Sequence, residues 1–317
     1  MPRLYIAPAI LLTALFAVFA AVASELGHVP FFHREIISFT ATVGESNGLN
    51  RQHLYMYDLD RGIDMAVLRD MRMGAHAWSD DGQTLLMIMT YRGRRGVYLM
   101  DHDGDNMRLL IRTTRGDYPQ WTHDRRSIQF FETEYWRIIS PRTGREATIR
   151  ISTDENRVRS TDGTWWTAVR RSERTGNTDV YMTRVDGTGA IQLTNEAEAV
   201  DSLPRWSPDG RFIAFERRFL MVVRDQGWYI MDVSDHLAGT FPDVKPLTHA
   251  MPLNRTQLTH MPWSAWSADS TRFLYIANDL YGAVNSPNLY MAYTDGSSVV
   301  QLTNTPDRHE WNPVWRP

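Results

Sequence analysis

The sequence predicts an all-β fold, a six-bladed β-propeller built from four-stranded antiparallel blades. Three observations predict it: a recurring motif, a regular order of apolar segments after each copy, and two incomplete ends that complement each other. The motif is Trp-Ser-x-Asp-Gly, and its first position recurs at intervals of 38 to 60 residues along the 317-residue chain. A period of about 40 to 50 residues with four strands per repeat is typical of propeller blades.

The motif supplies the first strand of a blade and the turn after it. Its best copy is RWSPDGRFIAFE at 205–216, and weaker copies begin at Ala77, Gln120 and Ala265. The Asp-Gly pair provides the positive dihedral angles of a tight turn, and the serine can hydrogen-bond inside that turn. The large apolar tryptophan is expected to pack between blades, with sugar stacking as the alternative. These structural anchors are Trp78, Trp121, Trp206, Trp266 and Trp315, with Arg159 in the equivalent position of the fourth blade.

The other three strands of each repeat follow in a fixed order. An apolar segment such as FIAFER is followed by one with alternating aromatic residues, such as DVYMTR. A turn, often Asp-Gly, then leads to a short segment that ends in Leu-Thr, as in AIQLT and VVQLT. Short apolar segments joined by Gly-containing turns are typical of antiparallel hairpins.

The two ends of the chain are expected to share one blade. Ahead of Trp78, the segments EIISFTATVG, HLYMYD and MAVLRD match the second, third and fourth strands of a blade that lacks its first. The chain ends at Trp315 with a first strand that nothing follows. We therefore expect the C-terminal strand to pair into the first blade and close the ring, which hides the sheet edges of an open end.

Three stretches resemble the repeats of TolB-type six-bladed β-propellers, and the resemblance extends over about residues 34–317. They are RWSPDGRFIAFE, DVYMTRVDGTGAIQLT at 179–194 and NLYMAYTDGSSVVQLTNTPDRHEWNPVW at 288–315. The resemblance implies a part in docking outer-membrane and cell-envelope partners, as in the Tol system. TolB itself also has an N-terminal α/β domain, for which the dozen residues between Ser24 and Glu35 leave no room. We therefore do not expect that role to transfer intact.

The N-terminal segment predicts export. Arg3 precedes an apolar run over residues 4–23 that ends in Ala21-Val22-Ala23, so residues 1–23 have the pattern of a secretory signal peptide. The run is also long enough for an uncleaved membrane anchor, which is the alternative. A linker over residues 24–34 and a propeller over residues 35–317 would follow. In either case we expect the propeller to be extracytoplasmic, either periplasmic or secreted.

Composition excludes several function classes. The absence of cysteine excludes disulfides, thiol catalysis and zinc–cysteine sites. A formal net charge of −3 argues against a dedicated nucleic-acid binder, and the basic stretch YRGRRG at 91–96 is interpreted as a solvated loop. The sequence contains neither a Gly-x-Ser-x-Gly elbow nor a phosphate-binding glycine loop. We expect a monomer whose membrane contact is confined to its N-terminal segment.

Polar residues near the starts of the first strands are the candidate binding residues, because these strands line the channel of a propeller. They are His76, Asp117, Asp201, Arg205, His260, His309 and Glu310. A ring of histidines and carboxylates could bind a divalent metal, as in propeller lyases that act on acidic sugars. In the alternative, the acids hydrogen-bond neighbouring blades and the histidines lie on the surface. The stretch DHDGDN at 101–106 is interpreted as a hairpin turn, since a calcium loop would need a glutamate where Arg112 stands.

The sequence leaves three functions open. The leading hypothesis is a non-enzymatic scaffold that binds a protein or peptide at one face, with no catalytic residues and no resident cofactor. The second is a metal-dependent lyase or hydrolase on acidic polysaccharide. The third is a carbohydrate-binding module that uses Trp136, Trp165, Trp228 and Trp311. The long loops of the fifth blade, 217–226 and 234–263, are the first places to look for binding, because binding residues concentrate on such loops.

Overall fold

The structure is a computed structural model. It describes residues 35–44, 50–113, 117–122, 126–132, 135–150, 158–221, 227–234, 241–247, 265–278 and 287–317. Residues 35–317 form one compact unit. The signal peptide or anchor predicted over residues 1–23, the linker over 24–34 and the candidate residue His260 lie outside the described residues. The described part of the chain has no helix that is long and apolar enough to cross a membrane.

The described residues form antiparallel strands joined by short turns. The first eleven are β1 (Ile36–Gly44), β2 (Asn50–Asp58), β3 (Ile63–Trp78), β4 (Thr84–Tyr91), β5 (Arg94–Asp101), β6 (Arg108–Arg112), β7 (Asp117–Trp121), β8 (Ile128–Glu132), β9 (Tyr135–Ile139), β10 (Glu146–Arg150) and β11 (Val158–Arg159). The others are β12 (Trp165–Arg171), β13 (Thr178–Arg184), β14 (Ile191–Gln192), β15 (Ala199–Trp206), β16 (Phe212–Phe219), β17 (Gly227–Asp232), β18 (Val244–Pro246), β19 (Arg272–Asn278), β20 (Pro287–Tyr293), β21 (Val299–Gln301) and β22 (Arg308–Trp315).

Within the described residues these strands group into the six blades that the sequence predicts. Blade 1 consists of β22, β1, β2 and the first half of β3, and blade 2 of the second half of β3 with β4, β5 and β6. Blades 3, 4 and 5 are β7–β10, β11–β14 and β15–β18. In blade 6 the bridge between Trp266 and Phe273 takes the place of the first strand, ahead of β19, β20 and β21.

Blades 1 and 2 are joined by one continuous strand, where the sequence predicts two. β3 has 16 residues; its segment 63–71 pairs with β2 and its segment 71–78 pairs with β4, so the two blades share one sheet. Asp70 has a positive φ of 56°, and the register shifts between Met73 and Ala75. These irregularities are typical of bulges that re-aim a strand, so β3 can leave the rim of blade 1 and become the innermost strand of blade 2.

The ring is closed by its last strand, as the sequence predicts. β22 pairs antiparallel with β1, in a register that runs from Ile37 opposite Trp315 to Val43 opposite Arg308. The Arg316 backbone N–H extends the ladder by donating to the Ile36 carbonyl at 2.9 Å. Closure therefore covers the edge that β1 would otherwise expose.

The core lies between neighbouring blades and uses the anchor tryptophans. Trp78, Trp206, Trp266 and Trp315 are buried in three apolar clusters, and Trp121 is half-buried against a fourth. A buried aromatic side chain removes about 150–250 Å² from water, which corresponds to about 4–6 kcal/mol of transfer free energy. The repeat places such a side chain at the same point of most blades, so the interfaces between blades are stabilised in the same way.

Candidate functional site

The two faces of the ring carry different connections. In blades 2, 4, 5 and 6 the first-strand segment is followed by a Ser-x-Asp turn, and these turns share one face, here called the anchor-turn face. Connections between second and third strands lie on the opposite face, here called the hairpin face. In the described residues the hairpin face includes Arg92–Gly93 between β4 and β5 and Ser172–Asn177 between β12 and β13. Leu220 and Met221, which follow β16, lie on the same face.

The anchor turn itself is a structural device. The Ser207 hydroxyl donates to the Asp209 carboxylate at 2.5 Å and accepts from the Phe212 backbone N–H at 2.9 Å. Ser79, Ser160 and Ser267 make the same pair of contacts in their own blades. Hydrogen bonds from Ser267 and Thr271 hold the pKa of Asp269 at about 2, despite the opposing effect of burial. The repeated acids therefore act inside turns and are not free to bind a ligand.

Asp201 lies in a buried ion pair. Both of its carboxylate oxygens accept from Arg217, from Nε and from a terminal nitrogen, each at 2.8 Å, and both side chains are buried. Its backbone carbonyl accepts from Thr178 of blade 4 at 2.8 Å. Asp179 is also buried nearby, and burial together with the charge of Asp201 raises the pKa of Asp179. These contacts tie blades 4 and 5 together.

Glu310 links blades 1 and 6 in the same manner. Its buried carboxylate accepts from the Leu289 backbone N–H at 3.0 Å and from the hydroxyls of Thr303 and Thr305 at 2.5 and 2.9 Å. Arg308 donates to it at 2.9 Å and also forms an ion pair with Asp64. Burial raises the pKa of Glu310, and the hydrogen bonds and Arg308 oppose that shift.

His76 is part of the closure of the ring. Its Nε2 lies 3.0 Å from the Ser38 hydroxyl, which also accepts from the Trp78 indole at 2.9 Å. Ser38 is on β1 and also reaches the Val314 carbonyl on β22 at 3.4 Å. Burial lowers the pKa of His76 to about 4, so the imidazole is neutral at pH 7.

Arg205 and His309 make no described contact with His76, Asp201 or Glu310. His309 is exposed on β22, whereas Arg205 is buried and donates to the Pro204 carbonyl at 2.8 Å. The backbone of Asp117 pairs with Phe131 in blade 3. Among the residues that the structure describes, no three His, Asp or Glu side chains form a group that could hold a metal ion. The contacts of His76, Asp201 and Glu310 fit structural roles and do not fit the metal of the lyase hypothesis.

The aromatic residues proposed for sugar stacking differ in exposure. Trp228 is buried in the core with its ring centroid 4.9 Å from that of Phe273, so it cannot stack on a sugar and this part of the carbohydrate hypothesis is wrong. Trp165 is half-buried beneath Arg184, with the guanidinium 5.6 Å from the ring centroid, and Trp311 is also half-buried. The side chain of Trp136 lies outside what the structure describes.

Solved structures with a similar fold support the ring architecture. TolB from Acinetobacter baumannii is 18% identical, covers 95% of this chain and 71% of its own, and has a TM-score of 0.66. The chain has a TolB-like β-propeller fold. The propeller domain of the Trilobed protease from Pyrococcus furiosus, at 11% identity, covers 88% and 98% with a TM-score of 0.61. Oligogalacturonate lyase from Vibrio parahaemolyticus, at 12% identity, covers 84% and 85% with a TM-score of 0.52.

These likenesses show the fold alone, because every identity is below 20%. No family model and no curated protein matches the chain. The function of this TolB-like propeller must therefore be argued from its own surface.

The anchor-turn face of the TolB-like propeller carries a cleft of about 550 Å³ between blades 2 and 3. It is lined by Thr84, Leu99, Asp101, Asn106, Arg108, Trp121, Pro141 and Arg142. The Asn106 amide donates to Asp101 at 2.7 Å, and the Gly104 N–H donates to the Asp101 carbonyl at 3.0 Å. DHDGDN therefore forms a hairpin turn on the wall of this cleft. Nothing in the sequence indicated the cleft, because it depends on how two blades pack.

The hairpin face exposes two adjacent large apolar residues in blade 5. Leu220 and Met221 follow β16 and are 57% and 84% exposed. The Leu220 N–H donates to the Glu198 carbonyl at 2.8 Å, which fixes the start of this segment against the loop that leads into β15. Sequence reasoning named the loop 217–226 but did not name these two residues. The apolar run FLMVV at 219–223, which continues past the end of a strand, is the signal that could have found them.

Proposed function

We propose that this chain is an extracytoplasmic, non-enzymatic scaffold that binds a protein or peptide on its hairpin face. The observation that carries the proposal is the exposed pair Leu220 and Met221 at the end of β16. Contiguous exposed apolar side chains on a rigid framework are characteristic of protein interaction sites. The apolar run at residues 4–23 supports an extracytoplasmic location.

The energetics favour a protein or peptide as the ligand. Full burial of a Leu or Met side chain contributes about 1.5–3 kcal/mol relative to leaving it in water. A few such residues supply most of the affinity of a protein interface. Arg217 binds Asp201 within blade 5, and Thr178 of blade 4 donates to the Asp201 carbonyl, so the scaffold can present this segment without a large ordering cost.

Site-specific photocrosslinking in intact cell envelopes tests the proposal. A photoreactive residue at position 221 should crosslink to the same discrete protein in repeated preparations. Leu220→Asp should abolish that product, because it places a charge in an apolar contact. The matched control is Val185→Asp on the anchor-turn face, which is also exposed and should leave the product unchanged.

Two results would contradict the proposal: no discrete product, or a product that both variants reduce equally. A metal-dependent activity on acidic polysaccharide is the alternative, and it makes a different prediction. If manganese raised the unfolding temperature of the chain and oligogalacturonate were cleaved in its presence, the scaffold proposal would be abandoned.

A further inference from the structure

The hairpin face has a second unusual surface, on blades 1 and 2. The ends of four strands meet the middle of β3 there: the start of β2, the end of β4, the start of β5 and the end of β6. The segments 50–53, 69–73, 90–96 and 111–113 contain one acid, Asp70, and many arginines. We call this surface the arginine edge, and its arginines are Arg51, Arg69, Arg72, Arg92, Arg94, Arg95 and Arg112.

Strand register brings these distant positions together. Arg72 on β3 is opposite Thr90 on β4, and Thr90 is opposite Arg95 on β5. Arg112 on β6 is opposite Gly96, two residues beyond Arg94. Arg94 and Arg112 both act on the hydroxyl of Tyr98: burial raises its pKa, and these two positive charges oppose the shift. The strand register places Arg72, Arg94, Arg95 and Arg112 at the same end of blade 2.

The positive charge of the arginine edge is poorly neutralised. Arg51 forms an ion pair with Asp70 at 2.9 Å. Five exposed arginines form no ion pair with any residue that the structure describes: Arg69, Arg72, Arg92, Arg94 and Arg112. The chain as a whole carries a formal charge of −3, so the arginine edge is a positive surface on a chain whose net charge is negative. A patch of one sign attracts ligands of the opposite sign and raises their association rate.

The kind of cation indicates the ligand chemistry. Lys245 is the one lysine of the sequence, so arginine provides nearly all the positive charge. The planar guanidinium presents a fork of N–H donors that matches a carboxylate or a phosphate in two parallel hydrogen bonds. The arginine edge is therefore suited to a ligand with several carboxylates or phosphates.

The adjacent strand favours a polypeptide over a sugar polymer or a lipid headgroup. The outer half of β3, residues 63–71, pairs with β2 on one side, and no strand of the described chain pairs with its other side. Ile63 and Met65 on this half are 57% and 60% exposed. The outermost strands of blades 4, 5 and 6 are only two or three residues long. A long apolar edge offers main-chain hydrogen bonds and side-chain contacts that an extended peptide can use.

We propose that the arginine edge and the outer half of β3 together dock an extended acidic segment of a partner protein. The segment would add as a strand along residues 63–71, with one end beside Ile63 and Met65 near the anchor-turn face. Its other end would reach the hairpin face and place its carboxylates on Arg92, Arg94 and Arg112. This inference rests on the proposed protein-binding function and names the partner chemistry. It also revises the interpretation of YRGRRG as only a solvated loop.

A fluorescent twelve-residue peptide of alternating glutamate and valine is the test probe, measured by anisotropy with the whole chain. We expect saturable binding that is absent for the matching glutamine–valine peptide. Raising the salt from about 0.01 M to about 0.1 M shortens the Debye length from about 30 to about 10 Å, so affinity should fall. The triple variant R92E/R94E/R112E should raise Kd about tenfold or more, mainly through slower association.

The matched control is R108E/R142E/R145E, three exposed arginines on the anchor-turn face whose exchange alters the net charge equally. This control should bind the peptide like the unaltered chain. Met65→Asp should also weaken binding, whereas a purely electrostatic patch would tolerate it. Equal loss in both triple variants, or no loss in either, would overturn the proposal. Oligogalacturonate or phosphatidylglycerol vesicles that bound in place of the peptide would overturn it in favour of that ligand.

Crosslinking from position 221 separates this inference from the function on which it rests. If R92E/R94E/R112E lost peptide binding but gave the same crosslinked product at full yield, the acidic segment would not belong to that partner and the docking inference would fail. The scaffold function would stand in that case. If no variant gave a product, the scaffold function itself would fail.

Discussion

A polar residue at a predicted channel mouth need not bind a metal or another ligand, as three residues show: Asp201, Glu310 and His76. Each is buried and bonded to a neighbouring strand or blade: Asp201 to Arg217, Glu310 to two threonines, and His76 to Ser38. Burying a charged or polar group is costly unless it is paired, so such positions need specific partners. These residues therefore determine how blades join, which was the alternative stated from the sequence for the acids.

The Asp201–Arg217 pair gives the sharpest prediction at this scale. Arg217→Met should lower the free energy of unfolding by about 3–5 kcal/mol, because it leaves a buried carboxylate without its cation beside Asp179. The double variant D201L/R217M should lose much less, since it removes both charges. Urea unfolding of the three proteins measures the difference. A double variant as unstable as the single one would show that packing, rather than the charge, is responsible.

His76 predicts a pH dependence of stability. Its pKa is about 4 in the folded state against 6.5 ordinarily, so the unfolded chain takes up the proton first as pH falls. Stability from this group should therefore decrease from about pH 6.5 to about pH 4, by up to about 3 kcal/mol, and not change further below that range. His76→Gln should flatten this part of the profile, whereas His309→Gln, at an exposed site, should not. Identical profiles for both variants would contradict the assignment.

At the scale of the element, the anchor turn shows how far the sequence predicts local structure. The serine, the acid and the glycine were expected to form a tight turn, and Gly82, Gly163 and Gly210 do adopt positive φ angles. In blade 6 the glycine is replaced by Ser270, which keeps a φ of 61°. Its hydroxyl accepts from the Asp209 N–H of blade 5 at 3.1 Å, which gives a reason to keep a serine there.

Ser207→Ala tests the turn directly. It removes the acceptor of the Phe212 N–H and the donor to Asp209 in a buried site, so stability should fall by about 1–3 kcal/mol. Asp209→Asn keeps an acceptor at that position and should cost clearly less. Thermal unfolding of both variants measures the two effects. Equal losses would mean that the negative charge of Asp209 contributes as much to the stability of the turn as the two hydrogen bonds of Ser207.

The strands were predicted well, and the exceptions have physical causes. The segment AIQLT was expected to be a strand, but β14 covers only Ile191 and Gln192. The Gln192 amide turns back to the Thr194 carbonyl, and the Thr194 hydroxyl accepts from the Val180 N–H, so the segment leaves the ladder. The fusion of two segments into β3 depends on a bend at Asp70 that no local pattern indicates. The arginine edge was missed for a related reason, since its members are distant in sequence.

At the scale of the whole molecule, the number of blades and their closure followed from the period and the two partial ends. The repeat could predict them because most blades use the same anchors. What the repeat could not predict is the surface, because exposed residues such as Met221 and Arg112 lie outside the repeated positions. A repeated scaffold therefore makes the fold predictable from the sequence. Ligand binding depends on residues that do not recur and is not predicted by the repeat.

Closure makes a prediction about cooperativity. Deleting residues 308–317 should destabilise the entire ring and not only blade 1, because β22 covers β1 and contributes Glu310 to the contact with blade 6. We expect loss of the cooperative thermal transition and binding of a hydrophobic dye. Adding residues 308–317 as a separate peptide should restore the transition at high peptide concentration. A truncated chain that unfolded with an unchanged midpoint would contradict a structural role for the strand.

The pairing of Ile37 with Trp315 also imposes an order on biosynthesis. The hydrogen bond from Ser38 to Val314 spans 276 positions, so the first blade cannot be completed until the ribosome has made residues 308–315. Contacts of such long sequence separation form late, because the entropy cost of closing the intervening loop comes before the contacts contribute any stabilisation. Until then the first blade lacks its innermost strand and the ring cannot close.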